Sequence, residues 1–390
     1  MDQERRKQLG AYFTPDAAAA ALVKWATRSP HDRLLDPSAG DGRFIALHRR
    51  SVGVETDPSS AAQARERAPW ALVHEGDFFS WASSTKERFE CAAGNPPFIR
   101  YQKFGGDVRA QAQKLCAQLG ADFSSLSSSW APFLVAAASV LKPDGRMAFV
   151  VPAEIGHAPY AVPLIKFLLG RFADVRVLAI REKVFAELSE DVWLLYAEVY
   201  GGQSDRVLFS VTENFKFTDS PPHRGRSISI SDLARWNYRL RPFLLADGEL
   251  DLYRQLLQRP TTSRLGELAR VGIGYVTGAN DFFHLRPSEA DRLAIPRKFL
   301  RVSVRNGRVL PKHAITRRHV AEWLDKDEAC LLLALPKDDQ PPAAVRRYLE
   351  SGDGREARES YKCRMRDPWY SVPDVAVPNA FLSYMSGRQP

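Results

Sequence analysis

The residues best suited to chemistry lie in one short segment, residues 34–44, with the sequence LLDPSAGDGRF. An apolar stretch ends at Asp36 and leads into a turn of small residues and then a predicted helix; Gly40 and Gly42 allow a ligand to approach the backbone closely. The spacing differs from the G-x-G-x-x-G pattern of dinucleotide sites, and an acid at Asp36 would repel a pyrophosphate. It suits a cationic group instead, so the segment predicts a site for S-adenosylmethionine, a nucleoside cofactor that carries an ammonium and no phosphate.

Two further acids follow at the ends of the next two predicted strands. Glu55 ends the segment VGVE, where doubly wound folds place a carboxylate against ribose hydroxyls. In EGDFF, Asp77 can accept a hydrogen bond from an adenine amine, and Phe78 can cover the adenine ring. Any one of these acids is more commonly a solvated loop carboxylate, whereas three at successive strand ends favour a single cofactor site.

A tetrapeptide that can polarise an amine, Asn95-Pro96-Pro97-Phe98, follows the fourth predicted strand. An exocyclic amine is a poor nucleophile because its lone pair is delocalised into the ring. The side-chain carbonyl of Asn95 and the main-chain carbonyl of Pro96 can both accept from one NH2 group, which aims the lone pair at the methyl. The two prolines lock the turn, and Phe98 offers a ring face to a planar base. Alone, the tetrapeptide is more commonly a rigid turn; after three acids it resembles the Asn-Pro-Pro-aromatic signature of amino-group methyltransferases, which implies a methyl-transfer site.

Short apolar strands alternate with helical stretches through residues 33–200, and this alternation positions the motifs. The predicted strands are Arg33–Leu35, Ser51–Glu55, Ala71–His74, Glu90–Ala93, Arg146–Val151, Val175–Ile180 and Val192–Tyr200. The pattern predicts an α/β fold with a doubly wound, mostly parallel sheet. Together with the motifs described above, we expect this fold to be of the Rossmann-like methyltransferase type. The last two strands lie too close for a helical crossover and are predicted to form an antiparallel hairpin at one edge.

Charge and composition divide the chain into two domains. The net charge of +9 is +1 over residues 1–200 and +8 over residues 201–390. We predict a catalytic domain over residues 1–218, a linker rich in Ser, Pro, Gly and Arg over residues 219–247, and a basic, mixed α+β domain over residues 248–390. The basic half suits a polyanion such as a nucleic acid, and an Arg-rich solvated face is an equal alternative on charge alone.

The sequence lacks the patterns of membrane proteins, secreted disulfide-bonded proteins and metal sites. The longest apolar stretches are shorter than a membrane span, and the start lacks the apolar core of a signal peptide, so we expect no membrane association and a cytoplasmic location. Four scattered cysteines lack a C-x-x-C pair and are expected to be reduced thiols. The eight histidines lack metal-site spacing, so no metal is predicted. The sequence ends without an obvious terminating element, and we expect the native chain to continue.

The order of these motifs resembles the γ-class, TaqI-methylase-like DNA adenine-N6 methyltransferases of bacteria and archaea. In that family a segment similar to GAYFTP, residues 10–15, precedes the cofactor turn, as it does here. The stretch GIGYVTGAN, residues 272–280, with Phe282 and Phe283, is similar to the entry motif of the family's target-recognition domain. The similarity covers the first 200 residues, and the basic region has the place of the recognition domain.

The resemblance implies a role for each matched position. Tyr12, Thr14 and Pro15 would cover the methionine end of the cofactor; Asp36, Pro37, Ala39 and Gly40 would line the amino-acid site; Glu55 would bind the ribose; Asp77 and Phe78 would hold the adenine; Asn95, Pro96, Pro97 and Phe98 would grip the target base; and Phe185 would stack on its other face. The implied substrate is double-stranded DNA with the target base rotated out. The implied setting is restriction-modification or phage defence, with a cognate restriction endonuclease on a separate chain as partner.

The sequence departs from the family pattern at two places, and four alternatives to DNA adenine methylation remain open. Phe98 stands where the family more often has tyrosine, which keeps stacking and drops a hydroxyl. The polar region 100–130 is predicted to be a mobile loop, from which Arg100, Lys103 and Arg109 could touch phosphates. The acceptor alternatives are RNA, a protein glutamine and the N4 amine of cytosine. An inactive methylase fold serving as a DNA-binding module is the fourth.

Overall fold

The structure is a computed structural model that describes residues 14–99, 104–182, 191–214, 220–311, 313–337 and 340–382. Tyr12, Phe185, Arg100 and Lys103 lie outside these ranges. The chain forms two compact units, Met1–Arg259 and Pro260–Pro390.

The first unit is organised around a nine-stranded sheet with the order β3-β2-β1-β4-β5-β7-β6-β8-β9. Its strands are β1 (Leu34–Asp36), β2 (Ser51–Glu55), β3 (Leu72–Glu75), β4 (Phe89–Gly94), β5 (Leu141–Pro152), β6 (Phe172–Ile180), β7 (Val192–Tyr200), β8 (Arg206–Thr212) and β9 (Arg226–Ser229). Strands β3, β2, β1, β4 and β5 are parallel neighbours, and β7 inserts antiparallel between β5 and β6. The predicted α/β class and the antiparallel pair are confirmed.

The predicted hairpin does not end the sheet. Strand β8 pairs parallel with β6, and β9 pairs antiparallel with β8, so two strands that the sequence analysis missed continue the sheet beyond the hairpin. Strand β9 has only four residues, of which Ile228 alone is fully buried. So short and polar a strand lacks the apolar alternation by which strands are recognised in sequence.

The sheet is covered by helices on both faces. Its central strands are apolar without a break because alternate residues enter different cores: Phe149 of β5 lies in one apolar cluster and its neighbour Val150 in the other. The helices of this unit are α1 (Asp16–Ala26), α2 (Pro58–Arg67), α3 (Phe78–Ser84), α4 (Gly106–Gln118), α5 (Trp130–Ser139), α6 (Ala161–Arg171), α7 (Ile230–Arg235) and α8 (Asp247–Gln258). Because β3, β2, β1, β4 and β5 are parallel, the carboxyl ends of these five strands lie along one edge of the sheet.

The division between the units differs from the predicted domain bounds. The predicted linker, residues 219–247, contains β9 and α7, and Leu233 of α7 is fully buried in a core of the first unit. The units instead divide at Arg259 and Pro260. The difference arises because exposed Ser, Pro and Arg residues here alternate with a few anchoring apolar side chains.

The second unit has a three-stranded antiparallel sheet with the order β10-β12-β11. Its strands are β10 (His284–Leu285), β11 (Leu300–Val302) and β12 (Leu331–Leu333), and its helices are α9 (Leu265–Leu268), α10 (Asn280–Phe283), α11 (Pro287–Arg292), α12 (Arg317–Asp325), α13 (Ala343–Leu349), α14 (Gly352–Glu359) and α15 (Tyr361–Arg364). Phe282 stacks on Tyr348, with ring centroids 4.5 Å apart, in its apolar core. Over the described ranges, no helix has the length and apolarity to cross a membrane.

Candidate active site

The carboxyl ends of four parallel strands carry the predicted functional residues. Asp36 ends β1, Glu55 ends β2, Asp77 follows β3 and Asn95 follows β4. Because the strands are neighbours in the order β3-β2-β1-β4, these residues follow one another along one edge of the sheet as Asp77, Glu55, Asp36 and Asn95. Ligands bind at this edge in open α/β sheets.

Asp36 is the most unusual of these groups, because its carboxyl is completely buried. One oxygen, Oδ1, accepts a hydrogen bond from the Ser38 amide at 3.1 Å, while Oδ2 has no hydrogen-bond partner among the residues that the structure describes. Burial raises the pKa of Asp36 to about 8, and the nearby carboxylate of Glu55 adds to the increase. A buried acceptor without a partner is costly unless a ligand satisfies it.

The neighbouring strand makes room for this carboxyl. Gly94 ends β4, and a Cβ atom there would lie 2.7 Å from Oδ1 of Asp36. A cationic ligand at Oδ2 would supply the missing hydrogen bond and favour the ionised carboxylate. The site therefore fits the ammonium of S-adenosylmethionine.

The turn after β1 is held from within the protein. The amide of Gly40 donates to Oε2 of Glu55 at 2.8 Å, and the amide of Asp57 donates to Oε1 at 2.8 Å. The amide of Ala39 donates to the Val54 carbonyl. These amides are thus already used, in keeping with a turn that cradles no phosphate. Each oxygen of Glu55 keeps a lone pair that can accept from a ribose hydroxyl.

Two details of this turn differ from expectation. The predicted helix after the turn is a single 3-10 turn, Ile45–Leu47. Gly42 has φ +87°, and a Cβ atom at this position would lie 2.8 Å from Cα of Ala64 in α2. The close approach of α2 explains why a glycine is needed there.

Asp77 and Phe78 begin α3. The Asp77 carboxylate caps the helix by accepting from the Ser80 amide at 2.9 Å. Phe78 is 2% exposed and packs on Phe133, with ring centroids 4.7 Å apart. In this structure Phe78 supports Asp77 from the core and offers little open ring surface.

The start of the described chain is tied to the cofactor turn by one arginine. Arg43 donates to the Thr14 carbonyl at 3.1 Å and pairs with Asp16 and Asp41. Thr14 is buried, and Pro15 is the N-cap residue of α1. Arg43, which the sequence analysis passed over, thereby holds Thr14, the first described residue of the predicted cofactor segment, beside the turn.

The loop after β4 contains the Asn95–Phe98 tetrapeptide and is anchored by two serines. The Ser38 hydroxyl donates to the Asn95 carbonyl at 3.0 Å. The Ser129 hydroxyl donates to the Pro97 carbonyl and accepts from the Ile99 amide, the latter at 3.0 Å. Pro96 is buried, and Phe98, half-buried, packs against both apolar cores.

The prediction of a mobile loop over residues 100–130 is wrong for the part that the structure describes. Residues 106–118 form α4, and Ser127, Ser128 and Ser129 are at most 6% exposed. Arg109 of α4 donates to the Ser125 carbonyl at 2.9 Å. Serine-rich composition suggested a solvated loop, whereas these three serines are buried, which sequence alone does not reveal.

In the second unit, the GIGYVTGAN stretch ends in a packed corner. Thr277 is buried, and its carbonyl accepts from the Arg366 guanidinium at 2.7 Å. A Cβ atom at Gly278 would lie 2.8 Å from Cβ of Lys362. Arg358, Arg364, Arg366 and Trp369 line a cavity of about 460 Å³ near this corner, together with Glu359, Asp367 and Pro368. Its three arginines outnumber its two acids, and cations beside an aromatic ring suit a nucleic acid.

Comparison with known proteins agrees with this arrangement. A family model described as Eco57I restriction-modification methylase matches residues 54–185, and one described as the C-terminal domain of the type II methyltransferase M.Eco57I matches residues 238–390. The chain is 25% identical to the type II methyltransferase M.XamI of Xanthomonas campestris pv. amaranthicola, over 99% of this chain and 73% of that protein.

Two further comparisons cover different parts of the chain. A tRNA1(Val) (adenine(37)-N6)-methyltransferase of Actinobacillus succinogenes is 32% identical over 35% of this chain and 59% of its own length. The solved structure of the type IIG restriction endonuclease BpuSI has a TM-score of 0.50 at 12% identity, over 92% of this chain and 47% of that one. The latter likeness concerns the fold.

Proposed function

We propose, from the premise that this chain belongs to the Eco57I family of restriction-modification methylases, that it methylates the N6 amino group of an adenine rotated out of double-stranded DNA. The observation that carries the proposal is the placement of the Asn95–Phe98 tetrapeptide beside the buried carboxyl of Asp36, with Ser38 bonded to both. S-adenosylmethionine is the cofactor and supplies an electrophilic methyl when bound.

The residues of the cofactor side have separate tasks in this proposal. Asp36 meets the ammonium, Glu55 accepts from the ribose hydroxyls, and Asp77 accepts from the adenine amine through the oxygen that does not cap α3. Thr14, Pro15, Pro37 and Ala39 shape the surrounding wall. Tyr12 remains a predicted cover for the methionine end.

The residues of the base side polarise the amine. The Asn95 side-chain oxygen and the Pro96 carbonyl accept its two hydrogens, which localises the lone pair on nitrogen and aims it at the methyl. Phe98 stacks on the base, and Pro97 stiffens the loop. Rotation of a base out of a duplex costs a few kcal/mol. Phe185 remains the predicted partner for its second face.

The second unit is proposed to recognise the DNA sequence. Its described part contains the arginine-lined cavity beside Trp369, which suits phosphate and base contacts. The setting is proposed to be restriction-modification, with a cognate endonuclease on another chain.

The test is to incubate the full chain with plasmid DNA and cofactor carrying a labelled methyl, digest the DNA to nucleosides and identify the labelled one by mass. We expect label in N6-methyladenine from the wild type. Asn95→Ala should abolish it with cofactor binding kept. Asn214→Ala, an exposed asparagine of the same unit, is the matched control and should methylate normally.

Other outcomes lead to other acceptors. Label in N4-methylcytosine would refute the adenine assignment and keep DNA as substrate. Label only in an added tRNA pool or in protein would refute DNA methylation; the similarity to a tRNA adenine-N6 methyltransferase makes tRNA the first alternative to include. Bound cofactor without transfer to any of these would favour an inactive DNA-binding module.

A further inference from the structure

Ser129 stands immediately before α5, at the position where serine usually caps a helix. A capping hydroxyl accepts from the amide two or three residues further on. The Ser129 side chain makes no such bond within the described part of the chain, and its backbone is already helical, with φ −61° and ψ −34°. Its hydroxyl is therefore available for another contact.

That contact is with the loop that carries the amine-binding tetrapeptide. The Ser129 hydroxyl donates to the Pro97 carbonyl and accepts from the Ile99 amide at 3.0 Å, and the Ser129 amide donates to the Ile99 carbonyl at 3.0 Å. Three hydrogen bonds thus join one residue to the two that flank Phe98. At 2% exposure, Ser129 makes them with little competition from water.

The tetrapeptide needs such an outside anchor because of its prolines. Pro96 and Pro97 have no N–H group, so this part of the loop cannot donate a backbone hydrogen bond. Its position depends on its carbonyls and on the next available amides. Ser129 binds one of each: the Pro97 carbonyl and the Ile99 amide.

The anchor itself is rigid. Ser129 leads into α5, in which all residues from Trp130 to Ala138 are buried. The other end of the tetrapeptide is held by Ser38 through the Asn95 carbonyl. The loop is consequently fixed between the cofactor turn and a core helix.

We propose that Ser129 is a positioning residue for methyl transfer. Its hydroxyl holds Pro97 and Ile99 so that the Asn95 and Pro96 oxygens face the amine and Phe98 faces the base. The inference rests on the proposed function. A displacement of about 1 Å in such a site can lower the rate about 100-fold.

The test compares Ser129→Ala with Ser139→Ala in the full chain. Ser139 ends the same helix, and its hydroxyl donates within the helix to the Ala136 carbonyl at 2.7 Å. We expect the single-turnover rate of Ser129→Ala to fall about 10- to 100-fold, with the dissociation constants for cofactor and DNA within about two-fold of wild type. Ser139→Ala should react at the wild-type rate.

If Ser129 had only a structural role, Ser129→Ala would lose cofactor affinity along with the single-turnover rate. Ser129→Ala with normal cofactor binding and a rate within two-fold of wild type would overturn the proposal, as would an equal loss in Ser139→Ala. Ser129→Cys has a side chain of similar size that forms only weak hydrogen bonds. If Ser129→Ala does not bind cofactor, the rate and the cofactor dissociation constant of Ser129→Cys are compared instead. Failure of the wild type to label DNA would instead count against the proposed function.

Discussion

Replacing Asp36 by asparagine should stabilise the cofactor-free protein and weaken cofactor binding. The pKa of Asp36 is about 8 in the folded chain, against a usual value of 3.8, because the carboxyl is buried. Between these values the folded state binds more protons than the unfolded state, so this group lowers stability as pH rises. Asparagine keeps an oxygen for the Ser38 amide and carries no charge to bury.

The magnitude follows from 1.36 kcal/mol per pKa unit. From pH 5 to pH 7.5, the advantage of Asp36→Asn over wild type in free energy of unfolding should grow by about 3 kcal/mol. Urea denaturation of the cofactor-free proteins, followed by tryptophan fluorescence, measures this difference. Equal pH dependence of the two proteins would refute the reasoning.

Cofactor binding gives the second readout. At pH 7 a carboxyl with a pKa of about 8 is mostly protonated. An ammonium bound at Asp36 favours the ionised form, so the wild type should release a proton on binding cofactor, measured by titration calorimetry in two buffers of different ionisation enthalpy. Asp36→Asn should release none at this group and bind about 30-fold or more weakly. Absence of proton release from the wild type would contradict the ammonium contact.

Two further predictions concern the turn and the second unit. Gly42→Ala should lower the free energy of unfolding by about 2 to 4 kcal/mol, because the new Cβ atom meets Ala64 and the backbone has a positive φ; thermal unfolding measures it. Arg358→Ala combined with Arg364→Ala should weaken DNA binding and reduce the slope of log affinity against log salt by about 2, if each arginine contacts one phosphate.

Each of these has a matched control. Gly120 also has a positive φ, +85°, and no neighbouring atom among the described residues lies within 4 Å of a Cβ added there. Gly120→Ala should therefore lower the free energy of unfolding by only about 1 kcal/mol, the cost of the left-handed backbone. An equal cost at both glycines would contradict the close-contact argument. Arg235, an exposed arginine of the first unit, should leave the salt slope unchanged when replaced by alanine. A salt slope unaltered by the double change would remove the arginine cavity from the DNA-binding surface.

The sequence predicted the elements whose signals are local. Most of the strands β1 to β7 contain a short apolar run, and the order of the acids along the sheet edge follows from parallel pairing. Contacts between residues that lie far apart in the chain could not be predicted from the sequence. Ser129 lies about 30 residues from the loop that it anchors, in a stretch whose composition is that of a solvated loop. Phe78 was likewise predicted from the sequence to offer its ring to the adenine, and only its packing on Phe133 shows that the ring is buried.

The cofactor turn and the amine-binding loop are joined through Ser38. Its amide binds the Asp36 carboxyl, and its hydroxyl binds the Asn95 carbonyl. A change in the charge of Asp36 alters the strength of the first bond, since an ionised acceptor is bound more strongly than a neutral one. Ionisation of Asp36 on cofactor binding would therefore tighten the turn to which the tetrapeptide is attached. The buried acid thus offers a physical route by which a bound cofactor strengthens the attachment of the tetrapeptide loop before a base arrives.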